Sequence, residues 1–120
     1  HRLKTGALLQ ASVMMGAACG RTTAAAHAAL ADYGAALGLA FQVVDDILDV
    51  TQPSETLGKT AGKDVDNNKP TYVSVLGLAA ARRHAEDLRE QALTALARSG
   101  LSASAGWLTV LADKVVERDN

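Results

Sequence analysis

The chain has 120 residues, one domain at most, and 48% hydrophobic with 21% charged residues excludes a disordered chain. Twelve basic against thirteen acidic residues leave a net charge of −1, which argues against a general binder of nucleic acid or of a membrane surface. The four aromatics, Tyr33, Phe41, Tyr72 and Trp107, are too few for a base-stacking platform.

Cys19 has no partner for an internal disulfide and fits a reducing, cytoplasmic compartment as a small buried hydrophobe. Residues 1–6 lack a Met and an apolar core, so no signal peptide is expected there. No membrane span is expected either: the apolar run 7–19 is short and holds Gln10 and Ser12, and the run 34–44 stops at two aspartates.

Alanine, the best helix former, supplies 24 residues, and proline only Pro53 and Pro70, so the chain reads as helices with one real break. A first helix is expected over residues 3–18, with Leu8, Leu9, Val13, Met14 and Met15 at helical spacing and Gly20 as its stop. Thr22 or Thr23 caps a second helix reaching to about Val50, with Leu30, Leu37, Phe41, Val44 and Leu48 as its apolar stripe. Gly34, Ala36, Gly38 and Ala40 on that helix allow a neighbour to approach closely. Residues 51–69 read as a long loop, and loops of that length in compact domains are usually functional or disordered. A short helix follows over 72–77, then an amphipathic one over 78–98. Its inward positions are Leu78, Ala81, Ala85, Leu88, Ala92 and Leu96, and its outer face carries the pairs Arg82–Glu86 and Arg83–Asp87. A last helix starts at Ser102 or Ser104, with Trp107, Leu108, Leu111 and Val115 inward. No run alternates in the manner of a strand, so the fold class is all-α, a helical bundle or part of one.

The chemistry concentrates at the end of the second helix, in Phe41-Gln42-Val43-Val44-Asp45-Asp46-Ile47-Leu48-Asp49. Asp45 and Asp49 are four apart and share a face that Gln42 joins, with Asp46 at its edge. Like charges at this spacing destabilise a helix, and the negative end of the helix dipole disfavours them again. A cation should offset them, and carboxylate oxygens suit a hard ion such as Mg²⁺. A solvated acidic helix end would look similar, but the rest of this helix is apolar, which points to a cleft.

Downstream, Leu57-Gly58-Lys59-Thr60-Ala61-Gly62-Lys63-Asp64 sets lysines among glycines, and Lys4-Thr5-Gly6 places another lysine at a helix start. Lysine is a point charge suited to phosphate, and helix N-termini bind anions. The loop is not a Walker A sequence, since it has neither the order nor a preceding strand. Acids and lysines around one cleft describe a diphosphate held by Mg²⁺. His1, His27 and His84 have no metal-ligand spacing.

Taken together, residues 1–6, 41–49, 57–64 and Lys69-Pro70-Thr71-Tyr72 resemble the trans-polyprenyl diphosphate synthase family, in its bacterial farnesyl diphosphate synthase (geranyltranstransferase) branch. Four motifs stand in the family's order, and FQxxDDxxD is its second aspartate-rich motif. The resemblance implies the isoprenoid synthase helical bundle, a homodimer, and Mg²⁺-dependent condensation of an allylic diphosphate with isopentenyl diphosphate. It implies Asp45 as a Mg²⁺ ligand, with Asp46 and Asp49 as ligands or just behind them. It implies Lys4 and Lys59 on the allylic diphosphate, and Thr5 and Gln42 with oxygens toward the allylic cation. Lys63, Lys69 and Arg118 are further diphosphate candidates.

The family's first aspartate-rich motif has no counterpart here. Residues 1–120 are therefore expected to be the C-terminal portion of one all-α synthase domain, incomplete as a catalyst alone. Two alternatives stay open: a non-catalytic helical partner of a synthase, and a metal-stabilised bundle.

Overall fold

A computed structural model describes residues 23–52, 70–100 and 102–118, with side chains of 102–105 excepted. It holds four helices in chain order: α1 (Ala24–Thr51), α2 (Tyr72–Leu76), α3 (Leu78–Arg98) and α4 (Ser102–Glu117). No strand occurs among the described residues, as an all-α chain requires. The expected helix over 3–18 and most of the loop lie outside them.

α1 begins where Thr23 accepts a hydrogen bond from the Ala26 amide at 3.0 Å, filling one of the helix's unpaired donors. It runs one residue beyond the expected end. Thr51 is its last residue, and its hydroxyl donates back to the Ile47 carbonyl at 2.8 Å. α3 lies along α1, α4 packs on both, and α2 sits in the corner between α1 and α3.

Small residues are buried on both long helices. Gly34, Ala36, Gly38 and Ala40 are buried on α1, and Ala81, Ala85, Ala92 and Ala95 on α3. Tyr33, Leu37 and Val43 are the largest fully buried side chains. The Tyr33 hydroxyl donates to the Leu108 carbonyl at 2.6 Å and ties α1 to α4, while burial pushes its pKa up to about 12. Gly77 separates α2 from α3 at φ +87°, a conformation that a side chain would strain.

Four expectations change. Trp107 is 83% exposed and Leu111 lies at the surface; the inward stripe of α4 is Leu108, Ala112 and Val115. This helix is apolar on adjacent faces, so its pattern does not fix its rotation. Leu78 is likewise exposed at the first turn of α3. Phe41 is only half-buried at the rim of the core. The expected pairs of Arg82 and Arg83 give way to a cluster on Arg89, which meets Glu86 at 3.0 Å, Glu90 at 3.4 Å and Asp113 of α4 at 2.9 Å. The hydrogen bond to Asp113 pushes the Arg89 pKa up.

By length and composition α1 is long and apolar enough to cross a bilayer, although no membrane span is expected from the sequence. Half of the stretch concerned is buried inside the chain, which is the pattern of a core helix.

Candidate functional site

The last turns of α1 send their acidic side chains to different partners. Arg118, just past the end of α4, brings Nη2 to 3.5 Å from Asp45 Oδ1 and donates to the Phe41 carbonyl at 3.2 Å. Its guanidinium carbon lies 4.0 Å from the centroid of the Phe41 ring. Phe41 and Asp45 are one helical turn apart, so a single arginine spans that turn by charge, hydrogen bond and ring contact. Burial pulls the Arg118 pKa below its ordinary value, and the neighbouring Asp45 opposes that shift.

Asp46 is buried at 3% exposure and turns to the opposite side. Its Oδ2 accepts from the Tyr72 amide, the first of α2, at 2.9 Å. Thr71 caps the same helix through a reciprocal pair with Ser74: its hydroxyl accepts from the Ser74 amide at 3.0 Å, and its own amide donates to the Ser74 hydroxyl at 2.8 Å. Asp49 is also buried, at 4%. Asp45 and its arginine are the exposed members, each side chain 21% accessible.

Two cavities flank this end of α1. The larger, about 820 Å³, is lined by Gln42 and Asp46 of α1, Thr71 and Tyr72 at the start of α2, and Arg83, His84 and Asp87 of α3. The Tyr72 and His84 rings stand 5.7 Å apart on its wall. The smaller, about 300 Å³, lies between Val44, Leu48, Arg82, Glu86 and Arg118. Gln42, expected beside Asp45, thus lines a cavity with Asp46, its neighbour one turn on. Lys4, Thr5, Lys59, Lys63 and Lys69 lie outside the described residues.

Two contributors escape sequence reasoning: the Phe41 ring that carries Arg118, and the Tyr72 amide that engages Asp46. The second had a signal, since Pro70-Thr71 marks a helix start whose first amides need acceptors. The first had none, because nothing local joins residues 41 and 118.

Among the described residues no three His, Cys, Asp or Glu side chains gather closely enough to hold a metal. Mg²⁺ does not ask for such a cage. It takes one or two carboxylates and fills its remaining positions with waters and phosphate oxygens. The oxygen donors and partial exposure of Asp45 fit that use.

The chain matches the family model of polyprenyl synthetase over residues 1–103. It is 53% identical over 104 residues to a probable farnesyl diphosphate synthase of Bradyrhizobium diazoefficiens, covering 83% of this chain and 31% of that protein. It is 47% identical over its full length to a chloroplastic geranylgeranyl pyrophosphate synthase of Capsicum annuum, of which it covers 32%. It is 46% identical over 123 residues to the farnesyl diphosphate synthase of Escherichia coli, covering 99% of this chain and 40% of that enzyme. The chain therefore spans about a third of the length of these curated relatives. A match over most of the chain, joined to an all-helical fold and the acidic end of α1, places this chain in the polyprenyl synthetase family.

Proposed function

We propose that the protein is a Mg²⁺-dependent prenyltransferase that joins an allylic diphosphate to isopentenyl diphosphate and releases a longer, farnesyl-type prenyl diphosphate. Residues 1–120 form the C-terminal portion of its single helical domain. The observation that carries this reading is the acidic end of a buried apolar helix, with Asp45 and Arg118 paired at its rim. The relatives' names, farnesyl and geranylgeranyl synthases, support the same reaction class.

Bond ionisation beside a diphosphate needs the leaving charge stabilised as it develops. Bound Mg²⁺ would supply that stabilisation, with Asp45 and Asp49 as the chain's ligands. Lys4, Lys59, Lys63, Lys69 and Arg118 supply positive charge for the diphosphate oxygens. Thr5 and Gln42 turn oxygen dipoles toward the allylic cation. The apolar body of α1 contributes to walls that keep water from that cation. A homodimer in the cytoplasm is part of the same reading, in keeping with the lone Cys19.

The test is thermal melting of the complete protein with Mg²⁺, with pyrophosphate and with both, beside Asp45→Ala. A ligand at ~100 times its dissociation constant adds about 2.7 kcal/mol. Stabilisation by the two together, lost in the variant, is the expected result. Metal alone giving the full shift would favour a metal-stabilised bundle. Absence of isopentenyl-dependent product from the complete protein would refute the reaction.

A further inference from the structure

We propose that Asp46 is a positioning residue whose work is to accept a hydrogen bond and hold α2 against α1, rather than to ligate metal. This rests on the prenyltransferase reading only for its consequence at the diphosphate site.

Among the described residues, α2 packs on the core only through Tyr72 and Val73, both partly buried. Its five residues bury no side chain fully, and Ser74, Val75 and Leu76 are exposed. What anchors it is the Asp46 carboxylate on the Tyr72 amide at 2.9 Å, with the Tyr72 ring against His84 at 5.7 Å. The donor is specific. Tyr72 is the first residue of α2, and the first amides of a helix have no partner inside it. Two other early amides are already placed: Ser74 on the Thr71 hydroxyl at 3.0 Å and Val75 on the Thr71 carbonyl at 3.0 Å. Asp46 serves the first of these amides from another helix, 26 residues away.

The consequence is geometric. The 820 Å³ cavity has Gln42 and Asp46 on one wall and Thr71, Tyr72, Val75 and Leu76 on another. The Asp46–Tyr72 bond fixes the separation of those walls. It also fixes where the chain re-enters the fold at Pro70, directly after the lysine-bearing segment 53–69. A hydrogen-bond acceptor suffices for this.

The experiment compares Asp46→Asn, Asp46→Ala and Tyr72→Pro in the complete protein. Asparagine keeps an acceptor oxygen, alanine removes it, and proline removes the donor at a helix position that tolerates proline. Thr71 before it is already extended, at φ −122° and ψ 167°, as a residue preceding proline must be. Tyr72→Ala controls for the lost ring. The first readout is exchange of the Tyr72 amide by NMR. Asn should leave it within about threefold of the parent, and Ala should speed it roughly tenfold or more. The second is affinity for Mg²⁺ with pyrophosphate. Asn should hold it within about threefold, while Ala and Pro weaken it by about tenfold, Pro measured against the Tyr72→Ala control. A purely structural role would lower melting temperature without that affinity change. Asn weakening Mg²⁺-pyrophosphate binding as much as Ala, with Tyr72 still protected, would make Asp46 a ligand and overturn the proposal. Unchanged Tyr72 exchange in Asp46→Ala would overturn it as well. If the parent binds no Mg²⁺-pyrophosphate, the prenyltransferase reading fails, and the exchange readout still decides the role of Asp46.

Discussion

Replacing Tyr33 with phenylalanine should destabilise the protein at neutral pH and stabilise it at high pH. The ring is fully buried, and its hydroxyl donates to the Leu108 carbonyl at 2.6 Å. Phenylalanine keeps the ring and loses that bond. Leu108 lies inside α4, so its carbonyl keeps its helical partner and is not orphaned. The loss at neutral pH is then about 1 kcal/mol, the net worth of an ordinary hydrogen bond. The alkaline term has the opposite sign. Burial raises the Tyr33 pKa from 10.0 to about 12, so between those values the unfolded chain releases a proton that the folded chain keeps. Stability from this group is intact below the unfolded value and falls as pH rises toward the folded value. Two units amount to roughly 2–3 kcal/mol by pH 12, which exceeds the hydrogen bond, so the two proteins should cross near pH ~11. Urea unfolding at stepped pH, followed by far-ultraviolet circular dichroism, measures this. Trp107 at 83% exposure is a poor fluorescence reporter. Parallel stability curves from neutral pH to 12 would refute the argument.

Four further outcomes follow from the packing. Ala40→Leu forces three extra carbon atoms into the core where Ala40 is fully buried, and should cost about 1–3 kcal/mol in denaturant unfolding. Gly77→Ala meets no atom within 4 Å, so its cost is backbone strain alone at φ +87° and ψ 156°, roughly 1–3 kcal/mol in melting, and a neutral result would contradict that conformation. Arg89→Ala should lower stability measurably, because Arg89 bridges α3 to α4 through Asp113 as well as meeting Glu86 and Glu90. Arg98→Ala should fall within about 0.5 kcal/mol of the parent, since its bond to Asp32 joins two side chains that are 60% and 63% exposed.

The parts of the fold legible in the sequence are those set by local chemistry. Thr23 caps α1 where a hydroxyl precedes an alanine run, and Leu30, Leu37, Val44 and Leu48 fill the core as their spacing implies. Ala81, Ala85, Leu88, Ala92 and Leu96 do the same for α3. Rotation of α4 was not legible, because Trp107, Leu108, Val110, Leu111 and Val115 cover too wide an arc to name one inner face. The Arg89 cluster was not legible because its strongest partner, Asp113, lies on another helix. At the site, the identity of the acidic residues was plain from FQxxDDxxD. Their division between Arg118 and the Tyr72 amide was not, since both partners are distant in sequence.

That division explains how the fold tolerates two of the three carboxylates at the end of this helix. The dipole there is negative, and no basic residue stands in the last turn of α1. Each carboxylate therefore needs donors from elsewhere. Asp46 receives one from the positive, N-terminal end of α2, the complement of the end it occupies. Asp45 receives a guanidinium that is also fixed by the Phe41 ring and carbonyl. Since those two contacts do not involve Asp45, Arg118 can keep its place while the carboxylate turns to another cation. At 3.5 Å this pair is longer than the Asp46 hydrogen bond at 2.9 Å. The buried Asp46 has a close partner, and the partly exposed Asp45 a more distant one. That difference supports the proposed use of Asp45 at the metal.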